Sequence, residues 1–550
     1  MADGDTKREL TAGQKFDTKL ASYFNELRQQ SLSRRGLFRM AAGAAAMATA
    51  AKPFLPGLSV LAQDEKTVTF GLEADVRGLE PALAYDFTAN PVVCQISEGL
   101  MMFDAKGELQ PLLAESFDHP DALTYSYVLK QGLTFSDGTP VTIEDVVASI
   151  ARVRDPDVAG PMAWMYDGPG AKVEQTDERS IKITLKTPSA LFQFVPATTA
   201  GHVIPKAAIE KYGADLLRNP IGTGPFKFVK WDAGSEIVLE KNPTYWQTGM
   251  PYYDQIVYKI VPEGTTRVTG MKTGDLDMIT AVPPDQIEAV KTMENVTWQE
   301  VVGYTANVAA MRTDKPPFDD LKVRLAVAHA IPYDDIMANI VKDSGVLAHN
   351  TTVPSNMPGS AEDQLQPVTY DVKKAKQLLS ESSQPNGFKT TYNVIAPNDV
   401  WIPQAIAVQE ALKELNIDVE IKQYAYADFI TLQQEGTYEG FMSFQWGADF
   451  PDASGNLLPL FHSKNVPPQN NHAFYNNPDV DKLLDDSEVE LDPEKRDQML
   501  VDIQKKISDD QPMIFFEHWK AFMPMTSVIT GYTLAPLWYW DSWGRSIKPA

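Results

Sequence analysis

The run Trp446-Gly447-Ala448-Asp449-Phe450-Pro451-Asp452 places an indole, two carboxylates and a second aromatic ring within seven residues. The apolar segment before it, residues 441–445, reads as a short strand. In open α/β sheets ligands lie beyond the carboxyl ends of strands, which puts Trp446 and Asp449 where a solute is met. A partly desolvated carboxylate facing an ammonium group makes a charge-assisted hydrogen bond, among the stronger polar contacts available. The alternatives for Asp449 are a cap on the turn before Pro451 or a pair with a structural arginine. Trp401 offers an apolar or sugar-stacking platform, or else packs the start of a helix. Catalysis finds no support: there is no His-Glu-x-x-His, no Gly-x-Ser-x-Gly and no Walker loop. Acidic pairs at arbitrary separation do not make a glycosidase couple without geometry. His329 sits in an apolar helical stretch and reads as a core residue, and His462 and His472 flank a Pro/Asn-rich loop without ligand spacing. No catalytic residue, metal or cofactor is expected.

The elements that must position these residues follow from periodicity. A strand near Tyr392–Ile395, a helix over about 404–415 and the alternating strand Ile417-Asp418-Val419-Glu420-Ile421 form one βαβ unit, whose strands should be parallel. Helices are expected over 321–331 and from Asp371. In the first half, strands are expected over 67–72, 181–185 and from Phe226, after the turn Gly222-Thr223-Gly224. That Gly-x-Gly leads into a strand and not a helix, so it is no phosphate loop. Residues 123–150 are the most tightly specified: an alternating strand, the Asp137-Gly138 turn, then Thr142 and Asp145 spaced as a capping box before an apolar helix.

That strand, turn and capped helix resemble the signature of the family 5 extracellular solute-binding proteins, receptors for peptides, nickel and some glycosides in ABC importers. Pro316-Pro317-Phe318-Asp319-Asp320, Tyr370-Asp371 and the Trp538-Tyr539-Trp540 tail are similar to family segments as well. The resemblance implies an α/β, two-lobed periplasmic-binding-protein fold with an extra inserted subdomain and a hinge between the lobes. Lobe I would comprise residues 63–94, 217–303 and 521–550, with 95–216 inserted, and lobe II residues 304–520. In peptide-binding relatives the aspartate matching Asp449 holds the peptide α-ammonium. Tyr85 and Phe87 complete the expected ligand-binding set with Trp446 and Trp401. Dipeptide-binding members carry a carboxylate-gripping arginine near the position of Ile395, but here no Arg occurs between Arg324 and Arg496. A longer peptide or another polar solute is therefore favoured over a dipeptide. An oligosaccharide or opine-like glycoside is the alternative ligand, and an exported hydrolase or a secreted interaction protein the alternative class.

The amino terminus completes the expectation. Ser33-Arg34-Arg35-Gly36-Leu37-Phe38-Arg39 followed by an Ala-rich run resembles a twin-arginine export signal, read by the translocase through Arg34 and Arg35. Cleavage after Ala62 would leave 488 residues with a net charge of −28, against −24 for the whole chain. That acidity argues against nucleic acid as a partner. The lone Cys94 permits no internal disulfide and does not stand where a lipid anchor would need it. The protein is thus expected to be a periplasmic monomer that is not a lipoprotein, with a small solute and ABC permease subunits as partners.

Overall fold

The computed structural model describes residues 66–84, 87–537 and 543–550. Arg34, Arg35 and the rest of the export signal, Tyr85 and the Trp538-Tyr539-Trp540 tail lie outside the described residues. From Glu65 onward the chain forms one compact unit.

Three sheets organise that unit. The seven-stranded sheet runs in the order Val296–Thr297, Met525–Thr526, Met278–Ile279, Thr67–Leu72, Gln255–Ile260, Glu236–Lys241, Phe226–Asp232. Thr67–Leu72 is parallel to both Gln255–Ile260 and Met278–Ile279. Trp543 from the carboxyl-terminal segment stacks on Phe70 at 5.4 Å, so the chain's end packs on its first strand. A four-stranded antiparallel sheet (Ala114–Asp121, Thr124–Leu129, Ser180–Thr184, Lys172–Gln175) is built wholly from residues between two visits to the first sheet.

The third sheet has six strands: Gly345–Leu347, Met513–Phe522, Glu300–Met311, Phe441–Gly447, Lys389–Ile395, Asp418–Tyr424. The chain enters it from Val296–Thr297 through Glu300–Met311 and leaves it through Met513–Phe522 into Met525–Thr526. Two antiparallel, mutually paired strands therefore carry the connection between the large sheets, with register shifts between Val302 and Ala306 where they cross over.

Local chemistry explains these elements. Asp145 Oδ2 accepts from the Thr142 N–H at 2.9 Å and from the Thr142 hydroxyl at 2.8 Å, fixing the entry of the helix Ile143–Val153. Gly222 and Gly224 let the backbone approach the end of the helix Asn90–Ile96, since a Cβ on them would lie 2.3 Å from the Ile96 carbonyl and 2.4 Å from that of Gln95. The βαβ unit pairs in parallel from Lys389↔Asp418 to Ile395↔Tyr424. Its helix, Trp401–Leu412, starts earlier than expected. Asn398 Oδ1 accepts from Trp401 N–H at 2.7 Å and Val400 N–H at 3.0 Å, and Pro403 falls in the first turn, where no intrahelical N–H is needed. Cys94 is buried, and His329 is a satisfied core residue whose Nδ1 bonds the Thr369 carbonyl at 2.8 Å.

Candidate functional site

Phe441–Gly447 and Lys389–Ile395 are parallel neighbours, so the segments following them emerge at the same edge of the six-stranded sheet. The first of these is the loop Ala448–Asp452. Its frame is made by its own polar residues: Trp446 Nε1 donates to the Gly455 carbonyl at 3.0 Å, and the Ala448 N–H donates to the Tyr304 carbonyl at 2.9 Å. Asp452 takes the structural arginine of this loop, its two oxygens accepting from Arg496 Nη1 at 2.6 Å and Nη2 at 2.9 Å. Asp452 Oδ1 also accepts from the Ser454 N–H at 2.9 Å, which caps the turn after the loop. Arg496 itself is buried, and burial alone would lower its pKa, but the contacts with Asp452 outweigh that and raise it.

The framework leaves Asp449 with 5% of its surface exposed, held between Trp446 and Phe450 in sequence. Phe450 stacks on Phe194 with ring centroids 5.8 Å apart, and Phe194 packs against Phe103 at 6.1 Å. A Cβ on Gly107 would sit 3.2 Å from Pro451. The segment containing the four-stranded sheet thus lies directly over the loop that carries Asp449.

Trp446 is nearly buried with its indole N–H already engaged, so only its ring face is left for a solute. Trp401 opens the helix after the neighbouring strand, is half-buried, and lies 6.4 Å from Phe429 at 41°. Phe87 is half-buried against the main core. His462 contacts Asp481 and Asp485, and His472 packs edge-on against Phe444 with its pKa pushed down to about 4 by burial. No cluster of metal-ligating side chains occurs among the described residues.

The sequence reading missed an acidic convergence. Glu263 follows the strand Gln255–Ile260, Asp285 follows Met278–Ile279 and Asp399 follows Lys389–Ile395. Asp399 has its pKa raised by burial first, then by Asp285 and Glu263, with Arg267 opposing. Arg267 is spent on the backbone: its guanidinium donates to the carbonyls of Val261 at 2.7 Å, Pro262 at 2.8 Å, Thr280 at 3.0 Å and Ala281 at 2.6 Å. The surroundings of Asp399 are therefore mainly acidic. The signal that could have found it is the recurrence of a carboxylate a few residues past each strand's carboxyl end.

Residues 108–468 match the family described as bacterial extracellular solute-binding proteins, family 5 (middle). Among curated proteins, the chain is 30% identical over 487 residues to the glutathione-binding protein GsiB of Pectobacterium atrosepticum, covering 86% of this chain and 92% of that one. GsiB of Escherichia coli K12 is 29% identical over 478 residues. Among solved structures, the Helicobacter pylori periplasmic binding protein DppA in complex with the peptide STSA superposes with a TM-score of 0.79 at 26% identity, covering 88% of this chain and 98% of that one. The PBP AgaA in complex with agropinic acid, from A. tumefaciens R10, gives 0.79 at 26% identity, covering 88% and 99%.

Proposed function

Because the chain belongs to the bacterial extracellular solute-binding proteins of family 5, a two-lobed substrate-binding receptor of an ABC importer and not an enzyme, we propose that it captures a peptide-like solute whose α-ammonium is received by Asp449. The observation that carries this reading is the position of Asp449: a 5% exposed carboxylate on the loop beyond the carboxyl end of the strand Phe441–Gly447, which runs parallel to Lys389–Ile395. GsiB is named for glutathione and DppA is bound to a peptide, both of which carry free amino groups. The acidic surroundings of Asp399 disfavour a ligand carboxylate gripped beside it, which argues against the dipeptide mode. An opine- or sugar-like solute is the second reading, supported by the likeness to AgaA with agropinic acid; it would lean on the ring faces of Trp446 and Trp401.

We also propose the division into lobe I (63–94, 217–303, 521–550), an inserted subdomain (95–216) and lobe II (304–520), supported by the seven- and four-stranded sheets, while the strands Glu300–Met311 and Met513–Phe522 cross its boundaries. Export by the twin-arginine route and a monomeric mature protein complete the proposal. Mass spectrometry of the solute that co-purifies, followed by calorimetry, tests it. Asp449→Asn should weaken binding by about 1.5–3 kcal/mol, the range for hydrogen bonds to charged groups, with little change in melting temperature. N-acetylation of a peptide ligand should do the same. A variant that binds normally but melts much lower would assign Asp449 to the fold instead.

A further inference from the structure

A second carboxylate stands behind the loop that carries Asp449. Residues 348–361 leave the edge strand Gly345–Leu347 and return to Glu362, which is 6% exposed. Glu362 closes this segment on itself: Oε1 accepts from the His349 N–H at 3.1 Å and Oε2 from the Ser355 N–H at 2.7 Å. His518, wholly buried on the strand Met513–Phe522, donates from Nε2 to Oε1 at 2.9 Å. Its Nδ1 is buried without a hydrogen-bond partner, so the ring is held through Nε2. Burial by itself raises the pKa of Glu362, but His518 and the two backbone N–H groups outweigh it and lower the pKa. The closed segment then grips the Asp449 loop at both ends. At the far end the Pro358 carbonyl accepts from the Ala453 N–H at 2.9 Å, and the Thr352 carbonyl accepts from Asn456 Nδ2 on the helix Ser454–Phe461. A Cβ on Gly359 would lie 3.1 Å from that of Ala453, so the packing there is close. At the near end Asn356 Nδ2 donates to the Val302 carbonyl at 2.8 Å, two residues before Tyr304, whose carbonyl takes the Ala448 N–H.

We propose that Glu362 is a positioning residue for the ammonium site: by tying residues 348–361 to His518 it fixes both ends of the loop on which Asp449 meets the solute. The inference rests on the receptor reading above and on its assignment of Asp449. A carboxylate suits this place where an amide does not. Three N–H donors converge on its two oxygens, whereas a glutamine offers one acceptor oxygen and one donor nitrogen, so in either orientation at least one N–H would face another. Binding groups must be held within about 0.5 Å of their productive geometry by the residues behind them, so slack introduced at Glu362 is read out at Asp449.

Two measurements on the mature protein test this. In hydrogen exchange followed by mass spectrometry on the solute-free protein, Glu362→Gln should speed exchange about tenfold over residues 448–456 and leave the strand Thr67–Leu72 unchanged. Equal acceleration in both would mean a fold loosened throughout and would overturn the proposal. Calorimetry takes Ser-Thr-Ser-Ala and glutathione as probes, each free and N-acetylated. Glu362→Gln should weaken the free probes about tenfold and the acetylated ones less than about twofold. Added to Asp449→Asn it should cost less than about twofold more, since a group that acts through Asp449 has nothing further to lose. Effects that multiply in the double variant, or unchanged affinity in Glu362→Gln beside weakened Asp449→Asn, would refute the positioning role alone. Unchanged affinity in Asp449→Asn, or binding of neither probe to the unaltered protein, would remove the ammonium reading and the proposal with it. Should Glu362→Gln fail to fold, Asn356→Ala, at an exposed residue, repeats the exchange test. It should speed exchange over 448–456 and not over Thr67–Leu72, and unchanged exchange at 448–456 would overturn the proposal.

Discussion

Glu517 is a carboxylate only 1% exposed to solvent. It lies on Met513–Phe522, one of the two strands that join the large sheets. Its oxygens accept from Asn307 Nδ2 at 2.6 Å and Gln404 Nε2 at 2.8 Å, and no cation is among the groups that act on it. Burial pushes its pKa up to about 7, with the two amides pulling down. Its folded pKa thus stands above the unfolded value. The stability it contributes is fully present below the ordinary carboxylate range of about 4.3 and is lost as pH rises through about 7. The gap corresponds to about 4 kcal/mol at about 1.36 kcal/mol per pKa unit. Glu517→Gln removes the charge and keeps the shape. It replaces an acceptor by a donor, but Asn307 Oδ1 is buried without a hydrogen-bond partner, so turning the Asn307 amide over restores the match. Differential scanning calorimetry of both proteins at about pH 4 and about pH 8.5 should find similar melting temperatures at the lower pH. At the higher pH the variant should melt higher, by less than the about 2–4 °C per kcal/mol of a 150–250-residue domain, because the compact unit from Glu65 onward is larger. A constant offset between the two proteins across that range would show that Glu517 does not titrate there.

Other predictions follow the same structure. Arg496→Ala leaves Asp452 buried without its bidentate partner and should cost about 3–5 kcal/mol in thermal or urea unfolding, whereas Arg496→Met/Asp452→Leu should recover much of the loss. Unchanged stability in the single variant would mean the pair is dispensable. Replacing Arg34 and Arg35 together by Lys keeps the charge and should leave precursor in the cytoplasm; fractionation showing normal export would end the twin-arginine assignment. Added solute should shrink the radius of gyration in small-angle scattering as the lobes close, and an unchanged radius at saturation would count against hinge closure.

What could be read from the sequence divides along physical lines. Thr67–Leu72 was legible to the residue because its burial alternates before both faces become covered, and a period of two survives without tertiary knowledge. The Thr142–Asp145 box was legible because a cap is a contact three residues long. The helix at Trp401 began three residues early because Asn398 supplied a cap that an apolar pattern does not register. Trp446 and Asp449 could be singled out because one strand end and one loop carry both. Arg496 could not be paired with Asp452, which lies 44 positions away on a different element, since nothing local marks one buried arginine as its partner. The same holds with more force for Glu263, Asp285 and Asp399, which meet only when two sheets built from interleaved segments are brought side by side. Receptors of this kind place their chemistry between lobes. The half of a site carried on a single strand end is then open to sequence reasoning, and the half that faces it is decided by how the chain returns. Here that return runs through the paired strands Glu300–Met311 and Met513–Phe522, which also hold Asn307 and Glu517. A perturbation at Glu517 therefore tests the joint between the two large sheets, and a change in solute affinity accompanying Glu517→Gln would arise either through that joint or through Gln404, in the first turn of the helix that Trp401 opens.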